Sequence, residues 1–191
     1  MIDQCLDFLK GELNLFLKQK LSITQDKVSI TSVIKPDGKL DSDFVAESVG
    51  LMLVNTEEEF GLQPVSNYSE RDSSYFKSNP DLCLNLKVLA VLNFTHHSEA
   101  LKFMSALLGF FQSKQVFKKE DYMQFIPPGL EQLRIKFISQ TLEQQNHLWG
   151  AVGAKYMPSL LFKVGLLKIQ ENRIVEQISR IEEIKRTINS R

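Results

Sequence analysis

The sequence predicts an α+β (α/β) fold, a single mixed sheet of about four to five strands flanked by helices. Three observations carry this. Residues 82–94 alternate strictly, with Leu82, Leu84, Leu86, Val88, Ala90, Leu92 and Phe94 on one face and Cys83, Asn85, Lys87, Leu89, Val91 and Asn93 on the other. Period-two patterning that is apolar on both faces in its middle marks a strand covered on both sides there. The run exceeds the usual ~17–20 Å strand, which makes it the central one, with an end reaching past the core. The next segment changes period: after Thr95-His96-His97, Leu101, Met104, Leu108 and Phe111 recur at three and four, widened by Phe103, Leu107 and Phe110. A stripe this broad belongs to a helix lying flat on a sheet. Ser98 is placed to cap it, and Glu99 suits its positive end. Shorter alternating runs elsewhere supply the remaining strands.

In chain order, Ile2, Cys5, Leu6, Leu9, Leu13, Phe16 and Leu17 form the apolar face of a first helix, weakened slightly by Gly11. Val28, Ile30 and Val33 suggest a short strand that ends at the Pro36-Asp37-Gly38 turn. Val49, Leu51 and Leu53 alternate with Gly50, Met52 and Val54 in a second strand buried in part on both faces. From Glu58 to Asp81 the pattern disappears, and the serine-rich polar run reads as a long loop. Loops beyond ~12–15 residues in compact domains tend to be functional or mobile, so this one is either a partner-contacting arm or disordered in the isolated chain. Ser113 to Gly129 is a second connection, closing on Pro127-Pro128-Gly129. Leu133, Ile135 and Phe137 alternate with Arg134 and Lys136 in a half-exposed strand. Thr141 and Gln144 fit a capping box for a short helix through Trp149 and Val152. A last strand runs from Leu160 to Ile169.

Residues 1–170 thus form one domain, and 171–191 read as an amphipathic helix. Ile174, Ile178, Ile181, Ile184 and Ile188 make its narrow stripe, with Glu176–Arg180 and Glu182–Arg186 as favourable pairs. A lone helix of this length is marginal in water, so the stripe docks on its own domain or on a neighbouring chain. Charge separates the two irregular regions. Over 57–81 six carboxylates face only Arg71 and Lys77, a net of −4, whereas over 155–191 eight basic residues face four acidic ones, a net of +4. The two segments form a plausible complementary pair between subunits.

The 191 residues suffice for one substantial core. Lysine plus arginine and aspartate plus glutamate both total 23, and no basic block stands out, which argues against nucleic acid as the main partner. Cys5 and Cys83 sit on apolar patterns far apart and read as buried free thiols in a reducing compartment. Asp3, Asp7 and Lys10 interrupt any signal-peptide run, and no stretch approaches the ~18 apolar residues of a membrane span. The expected site of synthesis is the cytoplasm.

There is no phosphate-binding glycine loop, metalloprotease helix, paired CxxC or nucleophile elbow. His96 and His97, with His147 and a cysteine, could hold a metal on paper, but no spacing demands it and a solvated pair is the plainer reading. Glu57, Glu58 and Glu59 follow a strand; adjacent acids point in different directions, so they read as a solvated strand end or a contact for a basic surface. Trp149 and Tyr156 could stack on a ligand, yet their apolar flanks favour packing or an interface. No catalytic, metal or cofactor residue is assigned.

Several segments together resemble a known family: MIDQCLDFLKGELNLFL at the start, NTEEE at 55–59, LNLKVLAVLNF at 84–94, EALKFMSALLGFFQ at 99–112 and, most specifically, NHLWGAVGAKYMPSLLFKVGLL at 146–167. They look like the terminator, or cap, proteins of antifeeding-prophage and virulence-cassette contractile injection particles. The resemblance implies a phage-tail-terminator-like fold and a non-enzymatic protein without a cofactor. It also implies a six-fold ring of copies on the baseplate-distal end of the inner tube, bound to the last sheath ring, within a particle that is released from the cell. The partners implied are other copies, the tube protein and the sheath protein, with neither nucleic acid nor membrane. Ile174, Ile178, Ile181, Ile184, Ile188, Glu57, Glu58, Glu59, Trp149 and Tyr156 are the candidate interface residues. A baseplate or other adaptor of the same particle is the nearest alternative. A cytosolic small-ligand-binding α/β protein or enzyme is the competing class, and it requires a deep apolar pocket with polar groups converging near His96, His97 or His147.

Overall fold

The computed structural model describes residues 1–59, 68–71, 74–78, 82–122, 132–169 and 174–179. Its centre is a mixed six-stranded sheet in the order β1-β2-β5-β8-β7-β6. The strands are β1 (Val28–Ile30), β2 (Ser48–Glu58), β5 (Leu82–Asn93), β6 (Val116–Lys118), β7 (Gln132–Ile138) and β8 (Ser159–Ile169). Only β1 runs parallel to its neighbour; every other pair is antiparallel. The alternating stretch from Leu82 is indeed central, flanked by β2 and β8 along nearly its whole length.

The strand alternation divides the core in two. On one face, Val49, Leu51, Leu86, Val88, Ala90, Leu92, Phe162 and Val164 meet helices α1 (Ile2–Leu21) and α2 (His97–Ser113). Phe111 of α2 lies 3.8 Å from the Phe162 ring, and Phe16 of α1 meets Phe110 of α2 at 5.2 Å. Asn14, buried in α1, donates to the Val28 carbonyl and accepts from the backbone N–H groups of Lys27 and Val28, which fixes the edge strand to the helix. On the other face, Leu89, Val91 and Leu161 are covered by α3 (Leu142–Val152) and by the 31–47 segment through Val33 and Phe44. Val33 is fully buried at φ 64°, a strained backbone for a β-branched residue. Its burial holds it there, together with the bond its N–H donates to Thr31 Oγ1 and the one its carbonyl accepts from the Asp41 backbone N–H. Gly50 admits this cover: a Cβ would stand 2.5 Å from Thr31 Cγ2 and 2.8 Å from the Phe44 ring.

Four departures from the sequence reading have physical causes. Lengths of strand appear where loops were expected. Within 113–129, β6 supplies Phe117, wholly buried, on a strand too short to show alternation; Pro127-Pro128-Gly129 lies outside the described residues. Within 58–81, β3 (Tyr68–Arg71) and β4 (Ser74–Ser78) form an antiparallel pair whose polar sequence hides it. Second, Ile174–Ser179 is not helical but a strand, β9, antiparallel to β4 in a separate three-stranded sheet β3-β4-β9. A four-residue isoleucine spacing satisfies both one helical turn and two steps of strand alternation, and β-branched residues favour the strand. Ile181, Ile184 and Ile188 lie outside the described residues. Third, the main sheet has six strands rather than four or five. Fourth, α2 starts two residues earlier than a Ser98 cap would place it, with His96 at the N-cap, its carbonyl accepting from the N–H groups of Glu99 and Ala100, so Ser98 is no cap. The capping box of Thr141 and Gln144 is present as expected.

Candidate assembly surfaces

The three adjacent acids sit at the end of β2, Glu57 and Glu58 within the strand and Glu59 just after it. Glu57 forms an ion pair with Lys87 of β5, and Glu59 accepts from Lys163 of β8 at 3.2 Å and from Asn85. Glu58 is exposed. The bond from Asn85 and then the Lys163 ammonium hold the Glu59 carboxyl below its ordinary pKa. This end of the sheet is therefore an interlaced polar face rather than a lone acidic patch. The matching lysines lie on strands 30 and 104 residues away in sequence, and only strand order and register could reveal them.

Trp149 is 4% exposed and belongs to the second core, with Val33, Phe44, Leu89, Val91 and Leu161. Burial removes it from the candidate surface; its ring meets Tyr156 edge-on at 5.8 Å. Tyr156 is 62% exposed and stays on the surface. The segment that holds Glu57, Glu58 and Glu59 leads to β4, and β4 pairs with β9 of the same chain, with Ser78 opposite Ile174 and Tyr75 opposite Ile178. The oppositely charged segments thus meet within one subunit over these residues.

His96, His97 and His147 are exposed, and no group of His, Cys, Asp or Glu among the described residues is placed to hold a metal. Cys5 and Cys83 are free and buried, and burial pushes the Cys5 thiol up to about 12. Two open clefts of about 400 and 360 Å³ flank the sheet. The first lies against α3 and is lined by Val54, Lys87, Ile138 and Leu148; the second lies between α2 and β7, beside Leu108 and Phe137. Neither is lined by a histidine. Among the described residues, no helix is long and apolar enough to cross a membrane.

Residues 6–183 match the family model of the Pvc16 N-terminal domain. The chain belongs to this family. Two solved structures share the Pvc16-type fold. One is the sheath/tube terminator of PVC, an extracellular contractile injection system, in its extended state, with a TM-score of 0.65 and 14% identity over 100% of this chain and 64% of that one. The other is the tube-terminating cap of the anti-feeding prophage, with a TM-score of 0.56 and 14% identity over 94% of this chain and 60% of that one. The Pvc16-type chain therefore spans less than two thirds of either protein, and at this identity the likeness is one of fold. None of the curated proteins matches the chain.

Proposed function

We propose that this Pvc16-family domain is a structural terminator, or cap, of a contractile injection particle. Copies form a hexameric ring at the baseplate-distal end of the inner tube, end its growth and link it to the last sheath ring. The observation that carries the reading is a terminator fold spanning the whole chain, joined to a family match over residues 6–183.

The mechanism is one of shaped surfaces, with no bond made or broken. One side of the ring resembles an incoming tube layer closely enough to bind the last one, and the opposite side lacks the surface for the next addition. A head-to-tail ring needs two different faces on each subunit. The polar end of β2 around Glu57, Glu58 and Glu59, the exposed Tyr156 and the tail from Ile174 onward are the surfaces proposed for these contacts. The subunit is made in the cytoplasm and leaves the cell within the particle.

Electron micrographs of particles assembled without this chain test the reading. Tubes and sheaths of uncontrolled length are the expected result. Particles of normal length with intact, contractile sheaths would refute it.

A further inference from the structure

Three lysines stand in a row across the sheet. Lys87 on β5 lies directly opposite Lys163 on β8, which lies directly opposite Lys136 on β7. Directly paired residues share a face, and their side chains are neighbours at the ~4.8 Å strand spacing. Like charges so placed are destabilising, and a sheet that needed only stability would alternate the signs. Glu57 and Glu59 answer Lys87 and Lys163. Lys136 is exposed and has no carboxylate partner among the described residues. Beside it on the same face Arg134, also exposed, pairs in register with Gly165, over which the Asn85 side chain lies.

The row borders the cleft under α3. Val54, Ile138, Leu148 and Leu161 make the apolar half of its lining, and Asn55, Lys87, Gln140 and Gln144 the polar half. An open cleft of about 400 Å³ with one apolar side, beside a cationic row, suits a bulky aliphatic or aromatic side chain followed by carboxylates. On an extended chain, alternate residues lie ~7 Å apart on one face, which places successive carboxylates within reach of neighbouring lysines. A protein segment fits better than a nucleic acid, which has no aliphatic side chain to set against Val54, Ile138, Leu148 and Leu161.

We infer that this face docks an extended acidic segment of a partner protein, anchored by one apolar side chain in the α3 cleft and steered by Lys136 and Lys163. The surface belongs to the single subunit, so it stands or falls apart from the terminator reading.

Titration of the full chain with a short fluorescent peptide, one leucine followed by glutamates at alternate positions, tests this without tube or sheath. Saturable binding is expected, weakening as salt rises. Lys136→Glu, at an exposed position opposite Lys163, is expected to weaken it about tenfold while the melting temperature stays at or above that of the wild type. Leu148→Ser is expected to weaken it as well, and the glutamine version of the peptide not to bind. Absence of binding, or equal binding by wild type and Lys136→Glu, would overturn the inference. So would equally tight, Lys136-dependent binding of a single-stranded oligonucleotide or of anionic vesicles, which would mark a general polyanion surface.

Discussion

Asn14 holds more of the molecule together than its type suggests. Its amide makes three hydrogen bonds to the backbone at Lys27 and Val28, in a position only 7% exposed. Asn14→Leu keeps the volume but leaves buried backbone donors without an acceptor, at a cost of about 2–4 kcal/mol. Urea unfolding followed through Trp149, the single tryptophan, should show that loss. An unchanged midpoint would mean that water replaces the amide. Asp41 plays the corresponding part in the 31–47 cover, accepting from the backbone N–H groups of Ser32 and Asp43 and from the hydroxyls of Ser32 and Thr31. Those donors, the two backbone ones foremost, hold its pKa at about 2, below the ordinary carboxylate value. A depressed folded pKa means that its stabilisation is present above about pH 4 and is lost as pH falls toward 2. Asp41→Asn should therefore melt below wild type at pH 6, with the gap closing toward pH 2. A gap independent of pH would show that the carboxylate charge is immaterial. Neither residue was legible in advance, since an asparagine in a helical stripe and an aspartate in a turn look ordinary until their distant partners are known.

At the scale of elements, long periodic segments were readable and short or polar ones were not. The helices at 2–21 and 97–113 each bury one continuous stripe and the central strand buries both faces in its middle, and that burial is what their patterns encode. The three-residue β6 carries no period, and β3 and β4 carry polar residues, so strand pairing there is set by neighbours rather than by local pattern. The tail failed for another reason, the double meaning of a four-residue isoleucine spacing. Two glycines separate propensity from packing. Gly11 lies on the exposed side of α1 with nothing within 4 Å of an added Cβ, so Gly11→Ala should stabilise by about 0.5–1 kcal/mol. Gly50→Ala drives a methyl into Thr31 and Phe44, and should cost about 1–3 kcal/mol by overpacking. Melting temperatures of the two variants should move in opposite directions; a gain for Gly50→Ala would show that the 31–47 cover yields freely.

At the scale of the whole molecule, the main sheet and the tail are separable in a way that decides what the tail is for. All six strands of the main sheet and the three helices end by Ile169, and both core clusters lie within that span. β9 makes its ladder with β4, in the other sheet. Deleting 171–191 therefore removes one edge of the three-stranded sheet and leaves in place the main sheet and every residue described in either core. The truncated chain should keep cooperative unfolding and the blue-shifted emission of the buried Trp149, while proteolysis near β3 and β4 becomes faster, since a two-stranded hairpin alone is marginal. Its attachment to tube and sheath should weaken, as measured by co-sedimentation with assembled particles. Loss of the cooperative transition would place the tail within the folding unit of the domain. Full attachment by a well-folded truncation would move the assembly contacts onto the sheet face, the acidic end of β2 and Tyr156, and leave β9 as a brace for the β3–β4 hairpin alone.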